Sequence, residues 1–323
     1  MKLKTPLLAA ALALACTASQ AVTLRVANVG DVMSMDPHSL NETLQLSFTA
    51  SVYEPLVGRG KDMALAPLLA TKWTQTSPNV WRFDLRKGVK FHDGTPFTAD
   101  DVVFSFARAA DPGGDMRGYT ASFKTVRKID DHTVEIETTA PNPILPDVIS
   151  NVYMMSKTWS EANKADKPVD RRKGVENTAS FKANGTGPFR LKERQPGTRT
   201  VIVRNLNYWD KVETNVDEVV FTPIGSDATR VAALLSGEID VMEPVPLQDV
   251  ERVKSNPNMV VLQGPELRTI FLGMDQKRDE LLFSSVKGKN PFKDVRVRKA
   301  FYQAIDIEAI KTKVMRGAST PTA

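Results

Sequence analysis

The chain is 323 residues long, 41% hydrophobic and 25% charged, which supplies a buried core and shows no bias toward disorder. At roughly 150 residues per domain the length points to about two domains, and a mean hydropathy of -0.25 excludes a protein of many membrane spans. The formal charge of +5, from 43 Lys+Arg against 38 Asp+Glu, is dispersed along the sequence without the basic block or stripe that nucleic-acid binding uses.

Residues 1–21 read as a cleavable secretory leader. Lys2 and Lys4 precede an apolar run at 7–15 that is too short to cross a bilayer, and Ser19 and Ala21 are the small residues a signal peptidase needs for a cut before Val22. The competing reading is a lipid anchor on Cys16, but Ala13 stands where that motif takes a Leu-like residue. Cleavage after Ala21 removes the single cysteine, so the exported chain holds together without disulfides or a Cys-ligated metal.

Beyond the leader, residues 23–29 alternate as a strand and 30–41 form a loop carrying Asp36, Pro37 and His38. Leu44, Leu46, Phe48, Val52 and Tyr53 give a helical stripe broken at Glu54 and Pro55. The period becomes two over 80–85, Asp93 and Gly94 signal a tight turn, and Thr98 with Asp101 opens a helix bearing Val102, Val103, Phe106 and Ala110. A strand at 133–138 and a Pro-rich stretch at 141–146 lead into another helix, and the polar segment 160–182 reads as a surface loop. Strands are expected at 189–191, 200–204 and 216–223. Ser226 then caps a helix stopped at Gly237, and a strand at 239–242, a helix at 247–254 and a strand at 259–263 follow. That alternation is an α/β layer with parallel pairing. Residues 268–274 read as a last strand, and Asp294 and Asp306 begin two closing helices.

Reactive motifs are sparse. The sequence has no G-x-S-x-G elbow, P-loop, G-x-G-x-x-G or H-E-x-x-H. His38, His92 and His132 stand singly beside turn residues and read as surface or turn histidines, and neither a metal site nor a cofactor is expected. Ser284 and Lys287 match S-x-x-K, the basis for a secreted serine hydrolase as a remote alternative, but Gly288 and Pro291 follow closely and helical periodicity is missing. Asp100 and Asp101 read as helix-start acids rather than an acid/base pair, and Gly185, Gly187 and Pro188 as a rigid turn rather than a phosphate loop. Trp73, Trp81, Trp159 and Trp209 are scattered and read as core or cleft-wall aromatics, with core the favoured reading. Since ligands of α/β sheets lie beyond the carboxyl ends of the strands, Met242, Glu243 and Pro244 are candidate binding positions.

Several stretches together resemble the extracellular solute-binding proteins of family 5, which serve peptide and nickel importers of the ABC type. They are SMDPH at 34–38, YEPLV at 53–57, LRKGVKFHDGTPFTADDV at 85–102, GTGPF at 185–189, RNLNYW at 204–209, SGEID at 236–240 and NPFKDVRVRKA at 290–300. The resemblance implies an α/β, two-lobed periplasmic binding protein fold that closes like a clamp and contains an inserted extra domain. Domain I comprises 22–53 and 157–266, domain II is the insertion 54–156, and 267–323 begins a domain III whose lobe is incomplete. The last two helices, with Val295, Phe301, Ile305, Ile310 and Val314, then lack partners to bury against. By the same resemblance Leu40, Asn41, Glu42, Thr43, Tyr119, Arg268 and Phe271 face the cleft beside Met242 and Glu243. The implied function is capture of short peptides, or of a nickel chelate, opine, glutathione or oligosaccharide, by a monomer in the periplasm that delivers its ligand to an ABC permease and ATPase complex in the inner membrane. Neither catalysis nor nucleic acid enters this expectation.

Overall fold

The computed structural model describes residues 21–264 and 268–322; the leader positions before Ala21, Cys16 among them, lie outside the described residues. By its internal contacts the chain divides into two compact units that meet after Pro244.

The first unit is built around β1 (Thr23–Asn28), whose neighbours come from far along the chain. Helix α1 (Thr43–Thr49) follows, then β2 (Val57–Arg59), β3 (Leu65–Pro67), β4 (Ala70–Ser77), β5 (Val80–Leu85), α2 (Ala99–Ala109), α3 (Arg117–Thr120), β6 (Phe123–Asp130), β7 (Thr133–Thr138), α4 (Leu145–Val148) and α5 (Lys157–Ala162). The chain returns with β8 (Phe189–Gln195), β9 (Arg199–Arg204), β10 (Glu218–Pro223), α6 (Asp227–Ser236) and β11 (Val241–Glu243). The larger sheet runs β11-β1-β10-β9-β8, with β1 parallel to both β10 and β11, while β4-β5-β7-β6 form an antiparallel sheet. The expected α/β layer is therefore present, with β1 between the two strands that α6 connects.

Two cores fill this unit. Leu56, Phe83, Phe97, Phe106, Ile136 and Leu145 belong to one, drawn from residues 56–154; Met35, Phe48, Tyr53, Met155, Ile202 and Phe221 belong to the other. Trp73, Trp81 and Trp209 pack partly buried on the first and Trp159 on the second. The start of α2 is capped as its sequence predicts: the Asp101 carboxylate accepts the Thr98 amide at 2.9 Å and the Lys157 amide at 2.9 Å, and Asp100 pairs with Lys128. Their carboxylates serve capping and pairing.

The polar segment 160–182 differs from its expectation as a surface loop. Ala165, Val169, Ala179 and Ser180 are buried, and around 165–169 the segment lends its backbone to an ion pair whose side chains have no exposed surface. Arg108 Nε donates to Ala165 O and Nη2 to Lys167 O, both at 2.9 Å, while the Val169 amide donates to Asp36. His38 and His92 also depart from the surface reading. Arg108 Nη1 donates to His38 Nδ1 at 3.1 Å, and His38 Nε2 donates to Tyr153 O at 2.9 Å. His92 bonds the carbonyl of Gly187 at 3.0 Å and the amide of Gly185 at 3.3 Å. Burial holds both imidazoles down to about 4, with Arg108 adding to the effect on His38.

The second unit contains α7 (Val250–Lys254), α8 (Val295–Ala304) and α9 (Ile307–Ala309), the last two capped by Asp294 and Asp306 as expected. No strand forms among its described residues, so 259–263 and 268–274 are irregular: β propensity needs a ladder partner, and none is paired to them here. Val295, Phe301, Ile305, Ile310 and Val314 are all exposed.

Candidate functional site

The parallel strands of the first unit end in register, Asn28 beside both Pro223 and Glu243. The chain leaves β1 through Val29 and Gly30, and a Cβ on Gly30 would stand 3.4 Å from Leu44 Cδ2, so the start of α1 lies against this exit. Gly225, leaving β10, faces the Val29 carbonyl at 3.8 Å from a Cβ position. Three strand ends and one helix start thus converge on a single edge.

Around that edge stand most of the positions expected in a cleft. Leu40 is half-buried, and Asn41, Glu42 and Thr43 are exposed. Glu42 caps α1, its two carboxylate oxygens accepting the amides of Leu44 and Gln45, each at 3.1 Å. The Tyr119 hydroxyl donates to Asn41 Oδ1 at 3.3 Å. These two come together because the Gly114 turn sits on the 38–40 segment: the Asp115 amide donates to His38 O at 3.1 Å, and a Cβ on Gly114 would be 2.5 Å from the same oxygen. Met242 is buried, with Glu243 exposed beside it at the end of the edge strand β11. Arg268 and Phe271 belong to the second unit and are exposed on it.

Two exposed apolar side chains at this edge, Val29 and Met33, escaped the sequence reading. The loop bearing Met33 is held from below, Arg171 Nη1 donating to Met33 O at 2.7 Å and Arg194 to Val32 O. Their signal was available only through the strand order, since nothing local distinguishes them from other loop residues.

The edge does not offer the usual anion cradle. Its helix starts are occupied by their own acids, Glu42 on α1 and, at α6, Asp227 bonded to Arg230 at 2.6 Å while Ser226 Oγ accepts the Thr229 amide. Among the described residues what remains is the sheet-edge strand β11 with exposed apolar groups, a tyrosine and carboxylates, a set suited to backbone hydrogen bonding and shape. Elsewhere, 281–290 contains no helix, so Ser284 and Lys287 are not set one turn apart. The GTGPF turn seats on the backbone of 51–53, the Gly187 amide donating to Val52 O at 2.9 Å, which accounts for its glycines without a phosphate. Among the described residues no group of three or more His, Cys, Asp or Glu is arranged to hold a metal ion.

A family model described as bacterial extracellular solute-binding proteins, family 5 Middle, matches residues 64–323. The periplasmic oligopeptide-binding protein OppA of Salmonella typhimurium is 29% identical over 315 residues, covering 91% of this chain and 54% of its own length. The glutathione-binding protein GsiB of Escherichia coli O6:K15:H31 is 26% identical, covering 97% of this chain and 58% of its own. The oligopeptide-binding protein AppA of Bacillus subtilis, solved with a nonapeptide, superposes with a TM-score of 0.77 at 22% identity, over 91% of this chain and 56% of that one. That likeness shows the fold, a two-lobed periplasmic binding protein architecture. The chain spans about half the length of the curated relatives it matches.

Proposed function

We propose, on the premise that the chain belongs to the family 5 bacterial extracellular solute-binding proteins, that it captures short peptides in the periplasm for an ABC importer. The observation that carries this reading is the family match over residues 64–323; the convergence of three strand ends with Tyr119 and the 40–43 segment supports where the ligand would be held. A ligand that contacts both lobes only when they close shifts the population toward the closed form, and a membrane permease can sense that shape. Strand addition along the edge of β11 would hold peptide backbones of differing sequence. In this reading Leu40, Asn41, Glu42, Thr43, Tyr119, Met242, Glu243, Arg268 and Phe271 contact ligand.

The proposed division places 22–53 with 157–266 and takes 54–156 as an insertion; the two cores of the first unit support it as far as Pro244, while by internal contacts 245–266 go with the second unit. The protein acts as a monomeric binder rather than a catalyst, with an ABC permease and ATPase complex as its partner. Glutathione is the second reading, favoured by the relative GsiB, which matches 97% of this chain. Native mass spectrometry of the purified protein tests the choice. A co-purifying short peptide is expected, bound glutathione selects the second reading, and calorimetry that finds no binding to either a di- to hexapeptide pool or glutathione overturns both. Labelling of Ser284 by a covalent serine probe would overturn the non-catalytic reading.

A further inference from the structure

Arg230 has no exposed surface, although it lies in the first turn of a helix where a guanidinium could have reached water. Its fork reaches three groups. Nη1 donates to Ile224 O at 2.7 Å, and Nη2 donates to Asp227 Oδ1 at 2.6 Å and to Pro244 O at 3.4 Å, while Nε has no partner among the described residues. Burying a guanidinium is costly, and an apolar side chain of similar volume commonly packs as well or better. The contacts it makes are therefore the informative part. Ile224 is the first residue beyond β10 and Pro244 the first beyond β11, the two strands on either side of β1. One side chain thus grips both segments that leave the candidate ligand edge, one of them at the last residue of the first unit.

We infer that Arg230 is a positioning residue for ligand binding: it fixes the directions in which the chain leaves β10 and β11, and so the placement of Gly225 and Glu243. The inference rests on the proposed reading of this edge as the ligand site. Asp227 is only half enclosed and holds the guanidinium from the helix side; the two carbonyls define the geometry. The bond to Pro244 O is the longest of the three, the contact most easily lost when the exit from β11 changes direction.

Three variants, Arg230→Met, Arg230→Lys and Asp227→Asn, test this by amide hydrogen exchange and by calorimetry with a di- to hexapeptide pool and with reduced glutathione. Arg230→Met is expected to speed exchange at least tenfold in both 224–228 and 242–246, with 200–204 unchanged, and to weaken binding of whichever probe the parent binds at least tenfold. Arg230→Lys should recover part of both effects, and Asp227→Asn should leave exchange in 242–246 as in the parent. Exchange that rises uniformly, or only within α6, overturns the inference, as does parental affinity in Arg230→Met. If Arg230→Met fails to fold, Arg230→Lys decides: it must loosen 242–246 while 200–204 stays protected. A parent that binds neither probe overturns the peptide and glutathione readings, while the exchange comparison still decides whether Arg230 sets the two exits.

Discussion

Arg108 on α2 and Asp36 in the loop after β1, 72 residues apart, form a bidentate ion pair with no exposed surface on either side chain, at 2.8 and 2.6 Å. Burial opposes the Asp36 charge, but the guanidinium beside it outweighs that and holds the carboxyl below its ordinary value. His38 and the backbone of residues 165–169 complete the surroundings.

Removing one partner strands the other charge. Arg108→Met is expected to cost about 3–5 kcal/mol in urea unfolding, and the double change Arg108→Met with Asp36→Leu should cost less than the sum of the two single changes. A single variant as stable as the parent would show that the pair does not hold these segments together.

Acid should destabilise the protein through its histidines. His38 and His92 are held near 4 in the folded chain, and an unfolded histidine titrates at 6.5. The unfolded state therefore binds more protons below 6.5, so the stability that neutral rings allow is complete above 6.5 and is lost as pH falls toward 4. Each ring accounts for roughly 3 kcal/mol at the acid end. Glu54 runs the other way: burial pushes its carboxyl above its ordinary value against hydrogen bonds from Trp209, Tyr208 and Thr186, so its protonation offsets part of the loss. Thermal melts should fall from pH 7 to pH 4.5, and a flat or rising profile would contradict the buried placement of both imidazoles.

Gly185 is required for close approach. A Cβ there would stand 2.0 Å from the Val52 carbonyl oxygen, a backbone atom that cannot step aside, whereas at Gly118 nothing lies within 4 Å. Gly185→Ala should lower stability by at least ~2 kcal/mol, and Gly118→Ala, within α3, should be neutral or stabilising by up to ~1 kcal/mol. Equal melting temperatures for the two variants would refute the seating of the GTGPF turn.

Under the proposed reading, Glu243→Ala and Arg268→Ala are each expected to weaken ligand binding at least tenfold by calorimetry, since truncating a charged group that contacts ligand in a desolvated site costs ~2 kcal/mol or more. Both residues are exposed, so the unliganded melting temperature should barely move. Lys164→Ala and Lys173→Ala serve as controls and should bind like the parent. Parental affinity in both cleft variants would move the site elsewhere.

Export should end in cleavage before Val22. The Val22 nitrogen is 2.9 Å from Asp217 Oδ2, so the cut would turn an amide donor into an ammonium facing a carboxylate. Intact mass should begin at Val22, and Asp217→Asn should lower the melting temperature of the processed form slightly, by the ~0–1 kcal/mol typical of an exposed pair. A lipid-modified Cys16 at the mature end would replace this picture with an anchored protein.

Local patterns were legible in the sequence, and long-range ones were not. The strand at 80–85 and the Thr98–Asp101 cap follow from spacing alone, and the structure places them there. Residues 259–263 carry the same strand-like composition and stay irregular, because a strand is a property of two segments and not of one. The segment 160–182 looked like solvent-facing loop because its contribution is carried by backbone carbonyls and an amide, which no side-chain count reveals. His38 escapes a local reading because its partners, Arg108 and Tyr153, arrive from distant parts of the chain.

The place of β1 between β10 and β11 imposes an order on events. Val22, just ahead of it, and Arg25 within it bond to Asp217 and Asp240, 195 and 215 residues downstream. The strand that emerges first is therefore the one whose partners emerge last: until residue 223 is present both of its edges are open, and until residue 243 one of them still is. Contacts of such sequence separation slow folding. Under the proposed export, a chain threaded across a membrane in extended form is helped by that delay, since its leading segment cannot close into a sheet while the rest is still in transit; an unpaired strand in the meantime is a template for mispairing.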